Sequence, residues 1–300
     1  MKISAPTRIA VSFGLILAAG ATSAGEPANP VALKPAQVTT SYDGFVSIAA
    51  SGLRIGFVES GFDYSGTSVE GAASVAMPLS GRYVLQADMN VSSLENSIFT
   101  SEITRKQGTV HIFWRDPAIG SFGVLTQYSD ETIGGILTSD ISVKFMSAGI
   151  EGQYFLNTST LYLQLAYERA RYDFVGSEVN GGVLGSEFRT FFQPNLMTTL
   201  RAGYEFSQWS ISGFDLDGTI VSVGAAIEYA PDQYPVSFFG TIDGLQQRND
   251  TFGEYEESVR ALVGIKYNFG VKSLFERDRN GASMTPLRPY RPLFGFLVFG

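Results

Sequence analysis

From about Leu53 to Phe269 the chain alternates apolar and polar residues with a period of two. In Leu161-Tyr-Leu-Gln-Leu-Ala-Tyr-Glu168 one face carries Leu161, Leu163, Leu165 and Tyr167, and the other Tyr162, Gln164, Ala166 and Glu168. Between 196 and 207, Leu196, Thr198, Leu200, Ala202, Tyr204 and Phe206 oppose Met197, Thr199, Arg201, Gly203, Glu205 and Ser207. Val259, Ala261, Val263, Ile265, Tyr267 and Phe269 repeat the pattern against Arg260, Leu262, Gly264, Lys266 and Asn268. Successive side chains of a strand point to opposite faces, so alternation on this scale predicts half-buried antiparallel strands. Twelve are predicted, near 54–64, 68–78, 83–93, 107–115, 120–130, 142–156, 159–173, 183–193, 196–209, 217–230, 234–248 and 256–269.

The connections between these strands fall into two kinds. Those after even-numbered strands read as tight turns, such as Pro78-Leu-Ser-Gly81, Asp116-Pro-Ala-Ile-Gly120, Asn157-Thr-Ser-Thr160, Gln193-Pro-Asn195 and Pro231-Asp-Gln-Tyr-Pro235. Those after odd-numbered strands read as longer and polar: Ser92 to Lys106, Asp130 to Asp140, Asp173 to Gly182 and Gln246 to Glu254. A soluble sandwich has no reason to sort loop lengths this way, whereas outer-membrane barrels carry short turns on the periplasmic side and longer loops outside. The expected fold is therefore all-β: a closed, antiparallel, up-and-down transmembrane β-barrel of about 12 strands. A charge facing the bilayer midplane costs about 2–4 kcal/mol, so the Leu, Val, Ile, Phe and Tyr faces must point outward. Glu151, Gln153, Glu168, Glu187, Arg189, Arg201, Glu205, Glu228, Asp243, Arg260 and Lys266 are then expected to line the lumen, with Arg189, Arg201, Arg260 and Lys266 paired to Glu187, Glu205, Glu228 and Asp243. Aromatic residues near strand ends, among them Tyr83, Trp114, Phe192, Tyr204, Phe206, Trp209, Tyr229, Tyr234, Tyr267 and Phe269, fit interfacial girdles.

The N-terminus changes the picture further. Lys2 and Arg8 precede an apolar run from Ile9 to Ala19 and the small residues Gly20 to Ala24. That order is the pattern of a cleaved secretory signal, read as 1–24 with Ala21 as the alternative cleavage point. The apolar run is too short for a spanning helix, which needs about 20 residues. Residues 25–44 then read as a Pro-rich periplasmic leader, 45–269 as the barrel and 270–300 as a basic periplasmic tail that is solvated or touches anionic head groups. Loss of Lys2 and Arg8 takes the formal charge from −8 to −10, which argues against nucleic acid as a partner. Cysteine is absent, so neither disulfides nor thiolate metal sites enter the account.

In the last strand, Gly264, Tyr267 and Phe269 resemble the closing signal of outer-membrane barrels, although that signal ordinarily ends the chain. Gly71-Ala-Ala-Ser-Val-Ala-Met-Pro-Leu79, Leu85-Gln-Ala-Asp88, His111-Ile-Phe-Trp-Arg-Asp-Pro117 and Lys272-Ser-Leu274 resemble segments of a widespread family of small proteobacterial outer-membrane barrels, grouped broadly with porin-like proteins. The resemblance implies architecture, cell-outer-membrane location, contact with outer-membrane lipid and lipopolysaccharide, and insertion by the barrel-assembly machinery. It implies no activity.

Candidate chemistry is sparse. Outer-membrane phospholipases, also twelve-stranded, are similar in topology and carry a His-x-Ser pair, but the residue two beyond His111, the single histidine, is Phe113. Without a nucleophile a histidine base has nothing to activate, and His111 is expected to face the lumen with Thr109, Phe113 and Arg115. Asp215 with Asp217, and Glu254 with Glu256 and Glu257, lack calcium-loop spacing and read as solvated loop acids. No catalytic residue, metal site or cofactor is expected. The functional expectation is a structural or narrow porin-like barrel for ions or small solutes, cation-preferring if the inward carboxylates dominate. The alternative is a surface-recognition or adhesin-like barrel acting through its long loops, and a lipid-acting enzyme is third.

Overall fold

The computed structural model describes residues 42–57, 62–96, 102–134, 140–172, 177–211, 214–249 and 254–287. The alternating segments form β1 (Asp43–Phe57), β2 (Phe62–Ser80), β3 (Tyr83–Asn96), β4 (Glu102–Asp116), β5 (Gly120–Ile133) and β6 (Ile141–Phe155). They continue as β7 (Ser159–Tyr172), β8 (Ser177–Gln193), β9 (Leu196–Ile211), β10 (Phe214–Tyr229), β11 (Val236–Asn249) and β12 (Glu254–Phe269), followed by the short helix α1 (Leu274–Asn280). Each strand pairs antiparallel with its sequence neighbours, and β1 pairs with β12 from Gly44↔Phe269 to Phe57↔Glu256, which closes the barrel.

Alternation is nearly unbroken. On β7, Tyr162, Gln164, Ala166 and Glu168 are buried inside while Leu161, Leu163, Leu165 and Tyr167 are exposed on the outer wall. The exterior presents Val46, Ile48, Val69, Val124, Ile150, Leu200, Ile242, Val263 and Ile265. Exposed rings flank this band: Tyr83, Phe122, Tyr154, Phe192, Tyr229, Tyr234 and Tyr267 near the tight turns, and Tyr128, Tyr167, Tyr204 and Phe206 toward the other end. Gly81, with φ +57, turns the chain between β2 and β3 in the left-handed region that disfavours other residues.

Four sequence expectations are corrected. The first strand, expected at 54–64, runs from Asp43 to Phe57; its Ser47, Ala49, Ala50, Ser51 and Gly52 are too small to make the apolar contrast that marks the other strands. The long loops are largely wall: β3 continues to Asn96 and β4 starts at Glu102, leaving 97–101 between them, and β5 and β6 leave 134–140. Glu254, Glu256 and Glu257 belong to β12 and Asp215 and Asp217 to β10; Glu256 is buried at 3% exposure rather than solvated. Lastly, residues 274–287 of the tail do not lie in solvent. Leu274, Arg277, Asp278, Arg279, Ala282, Ser283, Met284 and Leu287 are buried within the barrel. The signal region 1–24, the leader to residue 41 and the tail beyond 287 lie outside the described residues.

A charge at mid-wall tests which face meets lipid. Leu163→Arg is expected to lower folding stability by about 2–4 kcal/mol in lipid-vesicle unfolding with urea, and Gln246→Arg, at the loop-side end of β11, by less than about 1 kcal/mol.

Candidate functional site

Leaving β12, the chain reverses at Gly270, with φ +91, where a Cβ would come within 2.6 Å of Asp43 Cα. Ser273 caps α1 by accepting from the Glu276 amide at 3.1 Å, while Glu276 Oε2 accepts from the Lys272 amide at 3.2 Å, a reciprocal cap that starts the helix where it enters the barrel mouth. Leu274 packs with Phe191 and Ala230 at the tight-turn end, and Phe275 meets Phe191 edge-on at 5.2 Å. Arg279 donates to the carbonyls of Leu156 and Ser159 in the β6–β7 turn.

Beyond α1 the extended segment 281–287 climbs the lumen, and its backbone is bonded by inward side chains. Gln86 donates to the Met284 carbonyl at 2.8 Å and accepts from the Met284 amide at 3.1 Å. Arg115 donates to the Gly281 carbonyl and to Ser283 Oγ, both at 2.6 Å. Arg189 donates to the Ser283 carbonyl at 2.7 Å and Gln164 to the Thr285 carbonyl at 2.5 Å. Gln107 reaches the Leu287 carbonyl at 3.3 Å. An extended peptide cannot satisfy its own amides, so a polar wall is what it needs in order to be buried.

Behind these contacts lies a charged core. His111, fully buried on β4, has Nδ1 2.8 Å from Glu151 Oε1 and Nε2 2.9 Å from Asp88 Oδ2. The Tyr162 hydroxyl donates to Glu151 Oε2 at 2.6 Å and accepts from the Thr285 amide at 3.3 Å, and Gln86 Nε2 donates to Asp88 at 3.0 Å. The two residues that grip the tail, Gln86 and Tyr162, are thereby held by the carboxylates that hold His111. The hydroxyl of this cluster, that of Tyr162, donates to Glu151 rather than to the imidazole, and the four residues Asp88, His111, Glu151 and Tyr162 brace β3, β4, β6 and β7 against the tail.

The expected lumenal charges are distributed over the remaining wall. Arg189 pairs with Glu187 at 2.6 Å and with Asp278 of α1 at 2.9 Å, Lys266 with Glu228 at 2.5 Å, and Arg260 with Glu70 at 2.5 Å and Asp243 at 3.3 Å. Arg201 is 3.8 Å from Asp243. Glu168 accepts from Ser147 at 2.9 Å, and Glu205 is buried on β9. Gly264 sits at the β12 seam, where a Cβ would press on the Phe239 ring and on Ala49; Tyr267 faces out and Phe269 is half-buried. Sequence reasoning missed Gln86, Asp88, Asp43 and the tail residues Arg277, Asp278 and Thr285. Arg115 was placed inward, but its partner stands 166 positions away.

The described part of the tail, to Leu287, does not fill the lumen. A cavity of about 300 Å³ runs beside it, and a second of about 100 Å³ lies on the β8–β10 side; Glu187, Arg201, Thr285 and Pro286 line both. Gly185, Gly203 and Gly224 are among its lining residues, and the side chains of Ser222 and Asp243 lie over Gly203 and Gly224.

No protein-family model matches the chain, and no curated protein matches it. Among solved structures, the beta domain of the Bordetella autotransporter BrkA is similar at 12% identity and TM-score 0.51, covering 76% of this chain and 100% of that one. An outer-membrane channel from Pseudomonas putida F1 is similar at 10% identity and TM-score 0.52, covering 82% of this chain and 100% of that one. At these identities the likeness is one of fold: the chain has the architecture of outer-membrane β-barrels.

Removing the imidazole leaves two buried carboxylates facing each other. His111→Ala is expected to cost about 3–5 kcal/mol of stability, the usual penalty for breaking a buried ion pair from one side, read as a lower urea midpoint of the refolded barrel.

Proposed function

We propose that the chain is an outer-membrane barrel that passes ions or small solutes through a passage narrowed by its own C-terminal segment, and that it has no catalytic role. The observation that carries this reading is the pair of cavities beside residues 281–287, which adjoin along the tail at four shared lining residues and leave unfilled space inside the wall. Twelve strands enclose more space than their own side chains fill, since eight nearly fill a barrel and about 16–18 leave an open channel. Here one peptide strand occupies part of the difference.

The membrane setting is supported by the exterior: a continuous apolar wall bounded by two rows of rings is a surface for lipid, not water. The signal-like N-terminus agrees with export. Lipid and lipopolysaccharide are the proposed contacts of that wall. Recognition through long loops is the weaker reading, because the residues assigned to those loops extend the strands instead.

Planar-bilayer recordings of protein lacking residues 1–24 test the proposal. Small, steady steps are expected from the full tail, and several-fold larger steps from a chain ending at Gly270. Gly185→Leu, whose added side chain enters the second cavity, is expected to reduce the steps at full tail length. Folded, heat-modifiable barrels that pass no current with or without the tail overturn the channel.

A further inference from the structure

We propose that the inner face of β5–β8, at the loop-side end of the lumen, is a docking site for the apolar run Pro292–Phe299 of this same chain. The inference goes beyond the channel reading and stands on the fold, whether or not the barrel conducts.

On this side the lumen changes character along its length. Around residues 281–287 the wall is polar, whereas toward the loops it turns apolar. Ile133 of β5, Ile141, Val143 and Phe145 of β6, Tyr172 of β7 and Val179 of β8 all face inward there and are buried. Val143, Phe145, Tyr172 and Val179 belong to one packed cluster. The interior of an outer-membrane barrel is ordinarily polar, so an apolar inner face is the reverse of what an aqueous mouth requires. Ile133 and Val143 are 0% exposed, although twelve strands enclose more space than wall side chains fill. Such a face is built to be covered.

The tail heads toward it. Arg115 holds the Gly281 carbonyl and Gln107 the Leu287 carbonyl, so the segment ascends β4 from its turn-side end toward the loops. Leu287 packs with Leu125, Ala166 and Val183, and on the same strands the apolar face lies further up: Val179 beyond Val183, Tyr172 beyond Ala166 and Ile133 beyond Leu125. At about 3.3 Å per residue these steps are about 13–26 Å along the wall. The same rise gives Pro292 a reach of about 16 Å past Leu287 and Phe299 about 40 Å.

Order agrees with length. Going toward the loops, the wall presents the amide side chains that bond 281–287, then Glu168 with Ser147 at 2.9 Å, then the apolar face. The tail presents the bonded backbone, then Arg288 and Arg291, then Leu293, Phe294, Phe296, Leu297, Val298 and Phe299. Guanidinium meets the carboxylate level and apolar side chains meet apolar wall, which removes both surfaces from water. Docked there, the run narrows the loop-side half of the lumen.

The chain has no cysteine, so introduced thiols report accessibility without background. In the refolded full-tail barrel, Leu297→Cys is expected to react with a maleimide many-fold more slowly than Gln246→Cys, which is exposed at the loop-side end of β11. In urea the two should react alike. Val143→Asp, which puts a charge into the docking face, is expected to restore fast labelling of the Leu297→Cys thiol. Should Val143→Asp fail to fold, Phe145→Cys combined in turn with Phe294→Cys, Phe296→Cys and Val298→Cys replaces it, and at least one pair is expected to form an intrachain disulfide on mild oxidation. Fast labelling of Leu297→Cys in the folded barrel overturns the inference and assigns the face to the loops. Slow labelling that is indifferent to Val143→Asp overturns it too, as do oxidation products that are dimers alone, the sign of a second copy, or no disulfide in any pair. None of these readouts uses current, so the docking site and the channel fail separately.

Discussion

A peptide group in hydrocarbon has no water to bond, and this constraint organises the molecule. It requires every amide at membrane depth to find a partner on another strand, and the β1–β12 ladder meets that requirement by leaving no edge. Closure then forces the side chains apart, with alternate residues thrown outward and the rest collected inside. The outer set is apolar because lipid demands it. The inner set has no such rule, and here it is strongly polar: Gln86, Asp88, Thr109, His111, Arg115, Glu151, Gln153 and Gln164 share one side of the lumen. Buried polar groups must be bonded, so closing the wall transfers the problem from the backbone to the interior.

The tail answers it with a second backbone. Segment 281–287 supplies carbonyls and amides in the extended form that a polar wall can read, and the wall supplies amide and guanidinium side chains at matching heights. The lumen becomes a folded core made of hydrogen bonds rather than of apolar packing, with the His111 cluster as its rigid centre. This core is one-sided. Where β4 to β7 meet the tail the space is filled by large polar residues, and where β8 to β11 meet it a cavity remains. Passage and plug are two consequences of the same distribution of side-chain volume.

Much of the wall was legible because period-two alternation is a local signal. β7, β9 and β12 carry it without interruption, with Glu168, Arg201, Glu205, Arg260 and Lys266 on the face opposite their exposed apolar residues. β1 was displaced because residues of nearly equal size fall on both of its faces between Ser47 and Gly52. The polar loop ends were misread because a strand that leaves the membrane no longer needs an apolar outer face, so Lys106, Asp130 and Glu178 look like loop while continuing the ladder. The tail was misread for a different reason. Its partners stand up to 239 positions away, and its basic residues resemble any solvated terminus until Asp43, Asn268 and the β6–β7 turn are brought around them. The available hint was the number of neutral amides facing inward, more than the charged residues alone require.

Asp43 has a further consequence. It opens the first strand, yet its carboxylate accepts from the amides of Val271 and Ala282 and faces Arg277, which in turn donates to Asn268 of the last strand. Both margins of the seam thus hold the tail at its entry, while Gln86, Arg115, Gln164 and Arg189 hold it from β3, β4, β7 and β8. The segment ties the join of the sheet to the wall that faces it, as a spoke braces a rim.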